Sequence, residues 1–213
     1  MKRITLLLAA ATVVIAGCSR PGIKGDGVIK TETRVISDFS TLTVEGGYEI
    51  KWSAGSPALT ITSDQNLLPL INSTMSGNTL RIDSKENLAP TKGSVITLFS
   101  SSLADVQLTG GTEFTAGGIS GENLKLESTG AADITVDGSV TNLQANMTGA
   151  SHLNAKALQT QNATLTLTGA SDAAVNVTGA LKASITGAGS VSYSGDPKAV
   201  EKTITGAGSV ERQ

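Results

Sequence analysis

Six Thr-Gly pairs recur along the C-terminal half of the chain and constrain its fold more than any other feature. Their glycines are Gly110, Gly130, Gly149, Gly169, Gly187 and Gly206. Subtracting successive glycine numbers gives steps of 20, 19, 20, 18 and 19 residues. A regular step of this size is typical of a chain that coils, with each turn stacking on the last. The spacing therefore predicts about 19 residues per coil, with a corner of the coil at each glycine.

Apolar and polar residues alternate on both sides of each glycine. Four residues after the glycines stand Phe114, Ile134, Leu153, Ala173, Val191 and Val210. Three residues after them stand Glu113, Asp133, His152, Asp172, Ser190 and Ser209. A period of two indicates short strands with one buried face, because a helix needs a period of 3.6. We therefore expect an all-β fold, a parallel β-solenoid with two strands per coil, wound right-handed as parallel crossovers usually are.

The two ends of the repeat are less regular than its middle. Gly46 has apolar residues at the expected offsets, so the stretch before the repeat is expected to form less regular coils of the same stack. Lys202 and Arg212 enter apolar columns only in the last coil, as expected of a polar cap on an open solenoid end. Ser128 also interrupts an apolar column, and we expect its hydroxyl to bond to neighbouring backbone.

The N-terminus has the pattern of an export signal. Lys2 and Arg3 precede an apolar run that is short for a membrane span and that ends at Cys18, the only cysteine. Small residues directly before this cysteine resemble the lipobox of a bacterial lipoprotein. Ser19 follows the cysteine, and the absence of aspartate at this position resembles lipoproteins that are sorted to the outer membrane. The alternative is an ordinary secretory signal with an incidental cysteine. We therefore expect a signal peptide at 1–17, a lipidated tether at 18–33 and a β-solenoid domain at 34–213.

A longer phrase adds a family resemblance to these patterns. It runs Asp38-Phe39-Ser40-Thr41-Leu42-Thr43-Val44-Glu45-Gly46, and the Thr-Gly-Ala-Ser repeats follow it. With the lipoprotein start, this order resembles the putative auto-transporter adhesin head GIN domain family, also called domain of unknown function 2807. The resemblance covers about residues 34 to 210. It implies a β-helix-like fold on exported bacterial proteins, and it supplies no catalytic residues.

Composition and motif content narrow the functional classes. The formal net charge of −2 argues against nucleic acid, which favours a basic stripe. The single histidine excludes a multi-histidine metal site, and the single cysteine excludes an internal disulfide. Nucleotide-binding loops, a Ser-His-Asp order and a cysteine nucleophile are absent, so no cofactor is expected.

Two outward columns carry the chemical candidates. Glu113, Asp133, His152 and Asp172 should lie on adjacent coils, with Glu113 and Asp133 about 5 Å apart. Carboxylates at this separation can share a cation or serve retaining glycoside hydrolysis, but outward columns must be polar in any case, so a solvated rim is the preferred interpretation. The threonines of the six Thr-Gly pairs form a second column, which suits either cross-strand stabilisation or ice binding.

The sequence therefore favours a non-catalytic role. We expect a lipid-anchored outer-membrane protein, attached to the membrane through Cys18 and facing the periplasm or the cell surface. Its polar columns would be presented to a polysaccharide or to another envelope protein, as solenoids present extended faces. The alternatives are a polysaccharide-active β-helix enzyme, which would need a carboxylate cleft, and a purely structural spacer of the envelope.

Overall fold

The computed structural model describes residues 22–213, so the predicted signal peptide and Cys18 lie outside the described residues. Strands account for 72% of these residues, and the chain adds one 3₁₀ turn at Leu68–Leu70. The first nine strands are β1 (Ile23–Lys24), β2 (Ile29–Arg34), β3 (Thr41–Glu45), β4 (Glu49–Ala54), β5 (Ala58–Asp64), β6 (Ile71–Ser76), β7 (Thr79–Ser84), β8 (Leu88–Ala89) and β9 (Val95–Ser100). The other eight are β10 (Asp105–Gly110), β11 (Glu113–Gly130), β12 (Asp133–Gly149), β13 (His152–Gly169), β14 (Asp172–Gly187), β15 (Ser190–Ser194), β16 (Ala199–Gly206) and β17 (Ser209–Arg212).

The predicted solenoid is confirmed. Each of the long strands β11 to β14 runs around one whole coil and breaks only at the glycine corner. Successive coils pair in parallel and in register, so that the six Thr-Gly pairs lie directly beside one another. The stack has about 5 turns of about 20 residues. Its handedness stays a prediction.

The corner glycines are required both by backbone angle and by close stacking. Gly149 has φ +120°, which L side chains rarely adopt. A Cβ on Gly149 would lie 2.2 Å from the carbonyl oxygen of Gly130 on the preceding coil. That oxygen accepts a hydrogen bond from the Ala150 N–H at 2.8 Å, which joins the two corners. The Thr-Gly repeat therefore reflects a site where coils meet backbone to backbone.

The core is a continuous stack of small and medium apolar side chains. Leu126, Ala145, Leu165 and Ala183 occupy one column and are all buried. The coil also has a third inward-facing side, which the sequence interpretation of two strands per coil missed. There Val140, Thr160 and Val177 occupy equivalent positions on successive coils and are also buried. The coils differ in length, and the register shifts that absorb the difference lie next to these residues. Counting from the corner glycines therefore does not align this side of the coils.

The N-terminal coils stack in a different order from the sequence. Strands β3 and β4 form one coil, and β7 and β9 pair with them in parallel on the outer side. The chain then returns across that first coil, and β10 and β11 pair with β3 and β4 on the inner side. Residues 79–100 are therefore the outermost coil at this end, although they follow β3 and β4 in the chain.

Antiparallel strands close the N-terminal end of the stack. β6 pairs antiparallel with β7, and β5 pairs antiparallel with both β9 and β2. The N-terminal coils are therefore less regular than the rest of the stack, as expected, and antiparallel pairing is the form that this irregularity takes. The Arg34 guanidinium lies across this end, because it donates to the carbonyl oxygens of Leu68 at 2.9 Å and Ile71 at 2.6 Å.

The folded part also begins earlier than the boundary expected at residue 34. β1 and most of β2 lie within the stretch 18–33, which was expected to be a tether, and both are paired with other strands. Composition misled the prediction, since this stretch is polar and contains glycine. Its backbone instead completes the edge of β5, which would otherwise be open.

A buried carboxylate holds the early segment in place. Asp64 has no exposed surface. Its carboxylate accepts hydrogen bonds from the Gly27 N–H, the Thr91 N–H and the Thr91 hydroxyl, each at 2.8 Å. Burial acts to raise the pKa of Asp64, but the bonds from Thr91 and Gly27 outweigh it and lower the pKa below its usual value.

This arrangement predicts a loss of stability in acid. The pKa of Asp64 is lower in the folded state, so the unfolded chain binds its proton first, near the ordinary aspartate pKa of about 3.9. The stabilisation is complete above that pH and declines as the pH falls through the lower folded pKa. Urea unfolding between pH 7 and pH 2 should show this decline, weakened in Thr91→Val and smaller still in Asp64→Asn. An unchanged pH profile in Asp64→Asn would contradict the assignment.

The C-terminal end of the stack is open and polar, as expected. β16 is exposed along its whole length, including Val200 and Ile204. The Lys202 ammonium donates to the Val210 carbonyl oxygen at 2.7 Å, and the Arg212 guanidinium donates to the Gly195 carbonyl oxygen at 2.8 Å. Both cations therefore bond to backbone at this end of the core.

Ser128 is buried, but its partner differs from the expectation. Its hydroxyl bonds to the hydroxyl of Ser151 at 2.8 Å, and no backbone group takes that place. Ser151 also accepts a bond from the Ala132 N–H at 3.2 Å. The serine is tolerated because the hydroxyl of Ser151, which follows the corner of the next coil, is its buried partner.

Candidate functional site

The acidic column lies on one exposed edge of the solenoid, as the sequence predicts. Glu113, Asp133, His152 and Asp172 are directly opposite one another on β11 to β14 and are exposed. Glu49 extends the column on β4, opposite Glu113. The sequence interpretation missed Glu49, although it stands three residues after Gly46 as Glu113 stands after Gly110.

The contacts of this column are structural. The Asp172 carboxylate accepts bonds from the N–H and hydroxyl of Ser190 on the next coil, the first at 2.9 Å. Glu49 pairs with Lys51 at 2.6 Å. Within residues 22–213, no group of three Asp, Glu, His or Cys side chains could hold a metal ion. His152 and Asp172 border a groove of about 330 Å³, whose other lining residues include Asn154, Lys156 and Gln213.

A broad parallel sheet face offers a different kind of surface. Eight parallel strands form it, in the order β7, β3, β10, β11, β12, β13, β14 and β16. Because the strands are in register, outward side chains form straight columns across them. In the middle of the face, six uncharged polar side chains form what we call the amide-threonine grid: Gln144, Asn146, Thr148, Thr164, Thr166 and Thr168.

Charges on this face lie on either side of the grid and are paired. Lys125 contacts Glu127 at 2.9 Å on the N-terminal side, and Lys182 contacts Glu201 at 3.0 Å on the C-terminal side. The hydrogen bond to Glu127 raises the pKa of Lys125, so the Lys125 ammonium stays charged at neutral pH. The grid is therefore a neutral area of hydroxyls and amides between two ion-paired borders.

An asparagine ladder runs along the edge of the grid. The Asn142 amide donates to the Asn123 side-chain oxygen at 3.0 Å, and the Asn162 amide donates to the Asn142 oxygen at 3.0 Å. The Ala180 N–H donates to the Asn162 oxygen at 3.2 Å and ends the ladder. This ladder could have been predicted from the sequence, since each asparagine stands seven residues before a corner glycine. Its amides are used between coils, so the ladder fixes the edge of the grid.

A shallow groove lies on the third side of the coils. It has a volume of about 400 Å³. Its wall includes Ser139, Thr141, Gln159, Gln161 and Thr178, all uncharged. The aromatic residue Trp52 contributes to no surface of this kind, because it is buried and donates from Nε1 to Ser100 at 2.8 Å. The exposed chemistry of the regular coils is therefore mainly hydroxyl and amide.

The family whose model matches this chain is described as "putative auto-transporter adhesin, head GIN domain", and the match covers residues 38–197. The chain belongs to this family. The match leaves out β1 and β2 at one end and β16 and β17 at the other. No curated protein matches the sequence of this GIN domain.

Solved structures share the fold of this GIN domain. A putative adhesin from Bacteroides fragilis is similar with a TM-score of 0.72 and 19% identity, over 90% of this chain and 100% of its own. A putative lipid binding protein from Parabacteroides distasonis gives 0.53 and 23%, over 90% and 99%. A putative adhesin from Parabacteroides merdae gives 0.51 and 20%, over 90% and 98%. Among the described residues, none of the helical structure is long and apolar enough to cross a membrane.

Proposed function

We propose that this GIN domain is a lipid-anchored, non-catalytic adhesin-like module of the bacterial cell envelope. In this proposal the amide-threonine grid binds a neutral polysaccharide or a neutral polar face of an envelope protein. The observation that carries the proposal is the grid itself, an in-register and uncharged surface between paired charges. Membership of an adhesin-like family supports the general role.

The chemistry of the grid suits a repetitive polar ligand. Threonine hydroxyls and glutamine or asparagine amides both donate and accept hydrogen bonds, as sugar hydroxyls do. The columns repeat about every 4.8 Å across the strands and about every 6.6 Å along them. Because the sheet fixes these positions, little conformational freedom would be lost on binding.

The first test measures binding of the purified domain to envelope polysaccharides and surface extracts. Lysines introduced into the grid by Thr148→Lys with Thr166→Lys should weaken binding at least tenfold, equivalent to about 1.4 kcal/mol. The matched control is Thr115→Lys with Thr135→Lys, which adds two lysines at exposed threonines on the face that carries the acidic column. Equal loss in both variants, or no binding by the parent, would contradict the proposal.

The proposed absence of catalysis has its own test. Glu113 and Asp133 are directly opposite, so strand spacing places their backbones about 4.8 Å apart. An enzyme using them would lose activity on acidic or neutral glycans in Asp133→Ala. We expect no glycan cleavage by the parent and therefore no difference between the two proteins.

The anchor can be tested in cells independently of the ligand. Replacement of Cys18 removes the only thiol that lipid could modify. We expect Cys18→Ser to move the protein from the membrane fraction to the soluble periplasmic fraction, because it removes the lipid chains that would hold the protein in the membrane. Ser19→Thr is the control and should stay in the membrane fraction. A parent protein that is already soluble would contradict the anchor.

A further inference from the structure

The chain leaves very little slack between its proposed lipid anchor and its folded part. Residues 22–33, which hold β1 and most of β2, make up most of the stretch that sequence alone assigns to a tether. Only Ser19, Arg20 and Pro21 separate Cys18 from Gly22, the first described residue. A residue spans at most about 3.6 Å, so the four steps from Cys18 to Gly22 cover no more than roughly 14 Å.

The first described residues are fixed to the end of the solenoid. The Asp26 N–H donates to the Asn66 side-chain oxygen at 3.0 Å, and the Asn66 amide donates to the Lys24 carbonyl oxygen at 2.8 Å. One residue later, the Gly27 N–H donates to the buried Asp64 carboxylate at 2.8 Å. Peeling this segment away would leave a buried carboxylate short of a donor, so the segment does not lengthen the tether.

The same segment exposes apolar side chains. Ile23, Val28 and Ile29 are 39%, 48% and 37% exposed, on a stretch of seven residues. Lys24 and Lys30 lie beside them and are also exposed. Apolar side chains next to lysines suit the boundary of a lipid bilayer, where the apolar groups enter the headgroup region and the ammonium groups meet phosphates.

We propose that residues 22–30 rest on the lipid surface and that the coils project away from it. This inference rests on the lipid anchor proposed above. From β7 to β16 there are seven strand spacings of about 4.8 Å, so the last coil lies about 34 Å further along the stack. Strands β12 and β13, which carry the grid, lie four and five spacings from β7, about 19–24 Å along the stack. Because β2 pairs with β5 beyond β9, the grid stands at least this far from the proposed lipid surface.

Fluorescence quenching can test this orientation directly. The mature chain beginning at Cys18 is coupled through its only thiol to a maleimide lipid, in vesicles of phosphatidylethanolamine and phosphatidylglycerol with brominated acyl chains. Val28→Trp and Ile204→Trp place a tryptophan at exposed positions on the first segment and on the last coil. We expect emission to fall in Val28→Trp and to stay unchanged in Ile204→Trp and in the parent, whose Trp52 is buried. A long Gly/Ser insert before Gly22 should restore the emission of Val28→Trp.

Two results would overturn the inference: vesicle-bound Val28→Trp with full emission, or equal loss at both positions. Because the lipid is attached chemically, neither result depends on lipidation in the cell. A failure of the Cys18→Ser experiment would therefore remove the natural anchor but leave this measurement of orientation readable.

Discussion

Gly149→Ala should destabilise the domain by roughly 2–6 kcal/mol, the sum of about 1–3 for backbone strain and about 1–3 for forced movement in a packed region. The added methyl group would lie 2.2 Å from the Gly130 carbonyl oxygen, at a residue whose φ is +120°. The obstacle is backbone, so no side chain can move aside. The shift would also strain the hydrogen bond from Ala150 to that oxygen. Chemical denaturation with circular dichroism measures the loss.

Gly118→Ala separates the two causes. Gly118 also has a positive φ, +75°, but a Cβ there would have nothing within 4 Å. Only the backbone cost remains, about 1–2 kcal/mol. A loss in Gly149→Ala no larger than that in Gly118→Ala would show that the corners do not stack backbone to backbone.

Leu126→Asp should cost roughly 4–12 kcal/mol, from about 2–5 for the lost apolar group and about 2–7 for the buried polar one. Leu126 is 1% exposed and lies between Val106 and Ala145 on the neighbouring coils. A domain of this kind has about 5–15 kcal/mol in total, so we expect the central coils to lose their structure. Hydrogen exchange read by mass spectrometry would locate the opening.

The control for this charge is Thr129→Asp, three residues further along the same strand. Thr129 is exposed on the outer side of β11, and surface substitutions are usually within about 0.5 kcal/mol. Similar losses of protection in both variants would mean that inward and outward positions on β11 are not distinct.

The regular coils could be predicted from sequence because the glycine corner fixes the register. Once Gly110 and Gly130 are aligned, alternation assigns every neighbouring residue to the core or to solvent, as the burial of Leu126 and the exposure of Thr129 confirm. The third side could not be predicted in this way. Coil lengths differ by up to two residues, and the difference is absorbed there, between Ala155 and Asn162 on β13.

The N-terminal end escaped prediction for another physical reason. Column patterns show which residues face inward, but they carry no information about which coil lies beside which. The apolar residues of β7 and β9 fit the same columns wherever that coil stacks. Likewise, Ile29–Arg34 is too polar to be recognised as a strand, because it sits at a sheet edge with most of its side chains exposed.

Only part of the candidate surface could be predicted from the sequence. Alternation correctly places the column formed by Glu113, Asp133, His152 and Asp172. It does not predict which groups these side chains contact. The bond from Ser190 to Asp172 depends on the distance between coils. The sequence also does not show that the charges beside the grid are paired. Lys125 pairs with Glu127 on one side of it, and Lys182 pairs with Glu201 on the other.

The central claim is the in-register stack of coils that creates the grid. Two distances measured along the stack test it most directly. Spin labels on cysteines that replace Thr109 and Thr186, or Thr109 and Thr205, in a Cys18→Ser background can be measured by pulsed electron resonance. The stack predicts four spacings for the first pair and five for the second, about 19 Å and 24 Å between the backbone positions. Equal separations for the two pairs, or a shorter one for the second, would contradict the stack and with it the binding face.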